Sequence, residues 1–549
     1  MNNVHESAPS RAVGRAAPAL RPGRKVRALR APALALSVLA LGLAKAGTTF
    51  ELTTASIEDI NAAFDAGALT AERLVELYLA RIEAYDDNGP AINAVLALNP
   101  NALDTARALD AERRTSGPRS PLHGIPVIVK DVFDTYDMPT TGGYAPLEGV
   151  VPDRDATVVR KLREAGAIIL AKVNQSDWYA NPETLAASTL GGSTLNPFAL
   201  DRTSGWSSSG TSAGLAAHFA TVGLGSETGF SIRTPTSDGN LFGLSTTSGL
   251  ISRAGQMWSY ITGERGGPMA HNVYDLAATL DVIAGFDTAD LWTANSLGKM
   301  PLESYVSFID PNGLEGARVG VLAEAWDFSP VDPAVIDLAK EAIAVFSKHG
   351  AKVFDPVSLG IDLPNYLAAN GSPSRYERIH AINQYLAGQG PDYPFKSAKE
   401  LLLGHPGIPG RPADRDALQN LVDLDRNPGY RATLDGRAKL RDAVIALMDR
   451  YGLDALIYPH KLHGPLVIGP RTDPERNYVP NQMSPITGLP AMIVPMGFTP
   501  EGLPVGLEIL GRPWSEPTLI KLASGFEAVT NNRRVPATTP PLPGETFEY

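Results

Sequence analysis

The chain has 549 residues, 44% of them hydrophobic and 19% charged, which excludes disorder as its main state and allows a large buried core. Cysteine is absent, so disulfides, thiolate nucleophiles and zinc–thiolate sites are excluded. The formal net charge is -11; residues 1–46 carry eight Lys/Arg against Glu6 alone, a local +7 that leaves -18 on the remainder, and so acidic a body argues against a nucleic-acid partner.

The N-terminus is basic over residues 11–30 and then almost wholly apolar from Ala31 to Ala44. Ala44-Lys45-Ala46 follows as a small-x-small pattern. A basic region, a short apolar region and such a site predict a signal peptide over residues 1–46, and with it a secreted or periplasmic protein. The apolar run is short of the ~20 residues that span a membrane, and no other stretch is apolar enough, so no stable span is expected.

Beyond the leader, Ser56 and Asp59 resemble a capping box that opens a helix ending near Gly67. Leu74, Tyr78, Ile82 and Tyr85 share one helical face, and a third helix is expected from Asn101 to Arg114. Strand and helix then alternate. Ile125–Val129 reads as a buried strand, Ala156–Ala165 as a helix stopped by Gly166, and Ala167–Ala171 as a strand. Val319–Leu322 is a further strand; Asp332, Pro333 and Gly350 supply the cap, first residue and stop of a helix. Val353–Phe354, Ala455–Tyr458, Met492–Pro495 and Val505–Ile509 complete the expected strands. This alternation predicts an α/β fold. Residues 360–450, rich in Pro, Gly and Asn with helical patches at Arg375–Leu386 and Arg437–Tyr451, read as a lid inserted into a single domain spanning 47–549.

Residues 186–255 differ from the rest. Gly, Ser and Thr dominate Gly191–Thr194, Ser204–Ser212 and Gly225–Arg233, and the apolar, helix-like run Ala213–Val222 joins the last two. A flexible linker should lack that run. Tight Ser/Gly turns beside a helix suit a place where backbone N–H groups converge on an oxyanion. None of the nine histidines has a metal-binding spacing of the H-E-x-x-H kind, and no G-x-S-x-G elbow surrounds these serines. A Ser–His–Asp triad stays open, but a Ser–Lys pair is the other known arrangement, and it needs a lysine kept neutral by apolar neighbours. Lys130 closes the apolar run Ile125-Pro126-Val127-Ile128-Val129 and is the candidate, although a lysine at a strand end more often reaches solvent.

These blocks resemble the amidase signature family over about residues 55–535. The lysine block is His123–Asp131, the serine block Ser204–Gly255, and the C-terminal block runs from Thr487-Gly488-Leu489-Pro490-Ala491 to Gly502–Leu507. The resemblance implies a central mixed, twisted β-sheet covered by helices on both faces, and an amidase or peptide-amidase-like hydrolase without cofactor or metal. It implies Ser231 as nucleophile, Ser207 as a bridging serine preceded by a cis peptide bond, and Lys130 as base. Backbone N–H groups of Thr228, Gly229, Phe230 and Ser231 would form the oxyanion hole. Gly205, Trp206 and Phe230 would touch substrate. Glu227 and Arg233 would pair as a brace, where the family usually has Asp and Arg. Trp206 and Phe230 stand where glycines are usual; Phe230 would be costly if its position needs a positive φ. Tyr136, Trp178, Trp258 and Tyr366 are further candidate pocket aromatics, though a core or surface role is the more common fate of each.

The implied substrate is a small-molecule or peptide amide, or a related ester or carbamate, and the implied state is a monomer or homodimer. Two other readings stay open. One is a subunit for amide transfer on charged tRNA, which the acidic body and leader oppose. The other is a silent binding protein on the same scaffold, which only Trp206 and Phe230 support.

Overall fold

A computed structural model describes residues 49–179, 187–371, 373–404, 412–469 and 481–548. The expected leader, residues 1–46, lies outside the described residues. The chain enters through β1 (Thr49–Glu51) and α1 (Ile57–Asp65). Ser56 and Asp59 form the expected reciprocal capping box at the start of α1. α2 (Ala71–Ile82), β2 (Val95–Leu98) and α3 (Ala102–Ser116) follow. The expected helical face is buried at Leu74, Tyr78 and Ile82. β3 (Pro126–Lys130), α4 (Thr157–Glu164) and β4 (Ile168–Val173) form a parallel strand–helix–strand unit.

The Gly/Ser/Thr-rich region supplies the short strands β5 (Ala187–Ser188), β6 (Gly192–Ser193), β7 (Leu195–Asn196) and β8 (Ala199–Thr203). It continues with α5 (Ser209–Ala216), β9 (Val222–Glu227), α6 (Arg233–Asp238), β10 (Phe242–Ser245), β11 (Arg265–Ala270) and α7 (Val273–Ile283). Ala213–Val222 is therefore a helix end followed by a strand start. Every residue of β9 is buried, so it shows no alternation that would separate it from a buried helix. Nor is the region a linker: nearly every residue from Thr203 to Thr247 is buried. Gly210 shows what its small residues permit. A Cβ there would lie 2.4 Å from the backbone N and O of Asn174, so α5 touches the end of β4 main chain to main chain.

β12 (Arg318–Leu322), α8 (Pro333–Lys348) and β13 (Lys352–Val357) come next, with Asp332 capping α8 and Pro333 at its first position, as the sequence predicts. Between β13 and β14 (Ala455–Pro459) the chain makes a helical excursion: α9 (Leu363–Asn370), α10 (Ser374–Ala387), α11 (Ala398–Leu403), α12 (Pro412–Gln419) and α13 (Pro428–Tyr451). α14 (Met483–Thr487), β15 (Ala491–Phe498), β16 (Pro504–Leu510), α15 (Glu516–Thr530) and β17 (Thr546–Glu548) complete it.

Eleven strands form one mixed sheet in the order β13-β12-β14-β16-β15-β10-β11-β9-β3-β4-β2. β3 is parallel to both β4 and β9, while β9 and β11 are antiparallel, with Glu227 opposite Arg265. Helices pack on both faces: α5 lies on β3 and β9, and α7 and α15 lie on β11 and β15. The sheet thus agrees with the expected α/β architecture. Its topology sets the site, because Lys130 at the end of β3 and Glu227 at the end of β9 leave the sheet side by side.

Candidate active site

Lys130 is the last residue of β3, held between β4 and β9, and its side chain is fully buried. Its Nζ donates a 2.7 Å hydrogen bond to Ser207 Oγ. Burial holds the Lys130 amine well below its usual range, because a charged ammonium loses its water there; the carboxylates of Glu264 and Glu227 oppose that effect only in part. The neighbouring Lys172 is also buried but pairs with Asp131 at 3.0 Å. Of the two lysines, Lys130 is the one facing a serine.

Ser207 is fully buried in the turn that leads into α5. The cis bonds among the described residues precede Pro330 and Pro356, so the bond before Ser207 is trans and the expected cis bond is corrected. Ser231 lies in the turn between β9 and α6 and is 3% exposed. Among the described residues Ser231 Oγ makes no hydrogen bond, to Ser207 or to any other group. The first link, lysine to serine, is formed; the second is open, as such contacts often are before substrate arrives.

Residues 228–231 show a one-sided use of the backbone. Tyr260 Oη donates to Thr228 O at 2.8 Å, Arg233 Nη2 donates to Gly229 O at 2.8 Å, and Thr234 N donates to Phe230 O at 2.9 Å. The next two amides, of Ile232 and Arg233, donate to Glu227 Oε2. Among the described residues the N–H groups of Thr228, Gly229, Phe230 and Ser231 donate to nothing in the protein. Four consecutive free donors beside a buried serine, with three of their carbonyls pinned, can receive a developing oxyanion.

Glu227 and Arg233 form the expected brace, at 2.7 Å and fully buried. Burial alone would raise the Glu227 carboxyl, but the Arg233 and Arg265 guanidiniums prevail and hold it down at about 2. Arg233 also grips Glu508 at 2.8 Å, and Glu508 accepts hydrogen bonds from Tyr458 and His460. Replacing Arg233 would strand two buried carboxylates. Arg233→Met is expected to cost ~3–5 kcal/mol at neutral pH, read by urea denaturation.

Phe230 and Trp206 pack edge to face, with ring centroids 4.7 Å apart. Phe230 is not among the positive-φ residues, so the substitution carries no backbone penalty. Gly205 has φ +89°, and a Cβ there would lie 2.4 Å from Pro235 Cα, so its contact with α6 suffices to require glycine. Of the other candidate aromatics, Tyr136 is 53% exposed beneath Arg163. Trp178 is buried, with its Nε1 on Trp258 O and its ring against Tyr385. Trp258 lies under Arg253, and Tyr366 Oη donates to Gly436 O within the helical excursion. Tyr136 and Trp258 line one cavity together with Tyr385 and Gln389, whereas Trp178 and Tyr366 make their contacts within the fold.

Sequence reasoning missed two buried acids. Glu508 carried a signal, as the only charged residue in the apolar strand β16. Glu264 carried none. It is 1% exposed, accepts from Thr228 Oγ1 at 3.0 and 2.8 Å and from Ser259 N at 3.2 Å.

A buried lysine hydrogen-bonded to a serine, with a second serine beside four amides that are free among the described residues, is an arrangement suited to acyl transfer. The chain belongs to the amidase family, which it matches over residues 73–520, and it is an amide hydrolase. It is similar to the peptide amidase of Stenotrophomonas maltophilia, with 34% identity, a TM-score of 0.80, and coverage of 89% of this chain and 99% of that one. The structure of a peptide amidase in complex with the competitive inhibitor chymostatin matches at 34% identity and TM-score 0.78, covering 88% of this chain and 99% of that one. One subunit of the glutamyl-tRNA(Gln) amidotransferase of Myxococcus xanthus is 32% identical over 508 residues, 87% of this chain and 97% of that protein.

Proposed function

We propose that this protein is an exported serine amidase that hydrolyses carboxamides, C-terminal peptide amides foremost, through an acyl-enzyme on Ser231. The observation that carries the reading is the 2.7 Å hydrogen bond from the buried Lys130 amine to Ser207. In the proposed reaction Ser231 Oγ attacks the amide carbonyl while its proton passes to Ser207 Oγ and the Ser207 proton passes to neutral Lys130. The carbonyl oxygen becomes an oxyanion held by the free amides of residues 228–231, each such donor contributing ~3–4 kcal/mol in comparable sites. Lys130 returns the proton through Ser207 to the leaving nitrogen, the C–N bond breaks, and water later releases the acyl group by the same relay.

The peptide-amide preference rests on similarity to a peptide amidase over nearly the whole chain. The similar amidotransferase component gives a competing reading, amide transfer with a partner. Both are tested by assaying the purified chain alone for ammonia release from a panel of peptide, aryl and alkyl amides. Turnover of peptide amides without a partner supports the proposal; turnover only with a partner overturns it. In the same panel Phe230→Gly should raise kcat/KM for bulky acyl groups by about tenfold, a pocket-sized effect. An unchanged profile removes Phe230 from the substrate pocket. Export rests on the basic-apolar-small pattern of residues 1–46. N-terminal sequencing of the mature protein should begin near Gly47; an intact Met1 in exported protein overturns cleavage.

A further inference from the structure

The groups described so far at the oxyanion loop do not separate one amide from another. The free amides of residues 228–231 receive a carbonyl oxygen, which every amide has. Trp206 and Phe230, edge to face, offer an apolar surface that an alkyl or aryl group fills as well as a peptide does. A third group stands at the same loop. A Cβ built on Gly229 would lie 3.3 Å from Gln482 Oε1 and 3.6 Å from Gln482 Cδ, so the Gln482 carboxamide packs against the loop two residues before Ser231. The chain around it is fixed. Arg233 Nη1 donates to Asn481 O at 3.0 Å and Arg233 Nη2 to Gly229 O at 2.8 Å, so one guanidinium ties the two segments together. Asn481 Oδ1 accepts from Met483 N at 2.9 Å, and Ile486 N donates to Gln482 O at 3.1 Å. Gln482 is the N-cap residue of α14, a place where Ser, Thr, Asp and Asn are favoured. Its side chain makes no capping bond there, and among the described residues it makes no other hydrogen bond. Asn481 and Met483 are buried, whereas Gln482 between them is partly exposed.

We propose that Gln482 selects peptide amides: its Oε1 accepts a hydrogen bond from the N–H of the residue that carries the scissile carboxamide. The inference rests on the amidase reading above and narrows its substrate. In a peptide amide that N–H is bonded to the α-carbon, and the α-carbon to the scissile carbonyl carbon, so its nitrogen lies ~2.5 Å from the carbon under attack. Its partner must therefore stand beside the oxyanion loop, as Gln482 does. An alkyl or aryl amide has no donor at that place and leaves the carboxamide without its bond. The departing ammonia makes no call on Gln482, because its proton comes through Ser207 from Lys130. One neutral hydrogen bond of this kind should favour a substrate that has the N–H by about tenfold.

Two substrates that differ in this one group test it: N-acetylphenylalaninamide, and O-acetyl-3-phenyllactamide, in which an ester oxygen replaces the N–H. The purified full chain should release ammonia from the first with a kcat/KM about tenfold above that for the second. Gln482→Met keeps the length of the side chain and removes the acceptor; it should bring that ratio to within about twofold of unity. Gln482→Glu keeps an acceptor and should retain the preference even where both rates fall. The Gln482 side chain bonds to nothing among the described residues, so methionine strands no partner and thermal unfolding should stay within about a degree or two of the parent. A parent ratio near unity overturns the proposal. So does a Gln482→Met protein that keeps the parent's ratio, including one that loses rate equally on both substrates, which would make Gln482 a support of the loop alone. The peptide-amide reading fails separately, when the parent releases ammonia from alkyl or aryl amides but from neither of this pair.

Discussion

Ser231→Ala is expected to lower kcat by ~10⁴- to 10⁶-fold and leave the fold unchanged, the scale on which nucleophile removal acts in other serine hydrolases. The two halves of the expectation have different origins. The loss of turnover follows from the covalent step: among the described residues no other hydroxyl combines a place beside the four free amides of residues 228–231 with an unused oxygen. Ser207 lies in a different turn, fully buried against Lys130. The unchanged fold follows from bookkeeping of contacts. Ser231 Oγ makes no hydrogen bond among the described residues, so alanine leaves no partner stranded. Thermal unfolding should fall within about a degree or two of the parent. A residual rate within tenfold of the parent would show that another group carries the acyl chain.

Lys130→Met should lower kcat/KM by ~10²- to 10⁴-fold, the usual contribution of a positioned base. Its signature in stability is as informative as its signature in rate. Burial holds the Lys130 amine well below its usual range in the folded protein. Between that lowered value and the ordinary value of 10.5 the unfolded chain binds more protons than the folded one. Stability from this group is therefore fully present above pH 10.5 and is lost as pH falls through the interval. Its slope approaches about 1.4 kcal/mol per pH unit. Methionine has no proton to exchange, so the rise in urea midpoint from pH 7 to 10 should flatten in the variant. The variant also strands the Ser207 hydroxyl, which costs ~1–3 kcal/mol and offsets the relief of the buried amine, so the slope is a better readout than the midpoint at one pH. A slope equal to the parent's would mean that Lys130 keeps an ordinary proton affinity.

Much of the site could be read from residue types and order, because it depends on short blocks. The apolar run before Lys130 declared a buried strand, and a lysine at its end could only be solvated or desolvated; β4 and β9 on either side decide for the second. The Ser/Gly loops declared a backbone-lined turn. What the blocks concealed was long-range or conformational. Glu508 meets Arg233 across 275 positions of sequence, and Glu264 meets Thr228 across 36, so neither partnership leaves a local pattern. The bond before Ser207 is trans, a backbone state that a motif match does not report. The fold itself was clearest where caps and breakers mark ends, as at Ser56 and at Asp332-Pro333. It was least clear in β9, where a strand buried on both faces resembles the end of the preceding helix.

The central claim is that a neutral Lys130 drives Ser231 through Ser207, and covalent labelling addresses it most directly. The folded protein would be treated with a fluorophosphonate across pH 5–9 and the modified peptide mapped by mass spectrometry. The account predicts a single adduct on Ser231, formed faster as pH rises, absent in Ser231→Ala and slowed at least a hundredfold in Lys130→Met. An adduct on a different residue, or labelling of Ser231 at the parent rate in Lys130→Met, would contradict it.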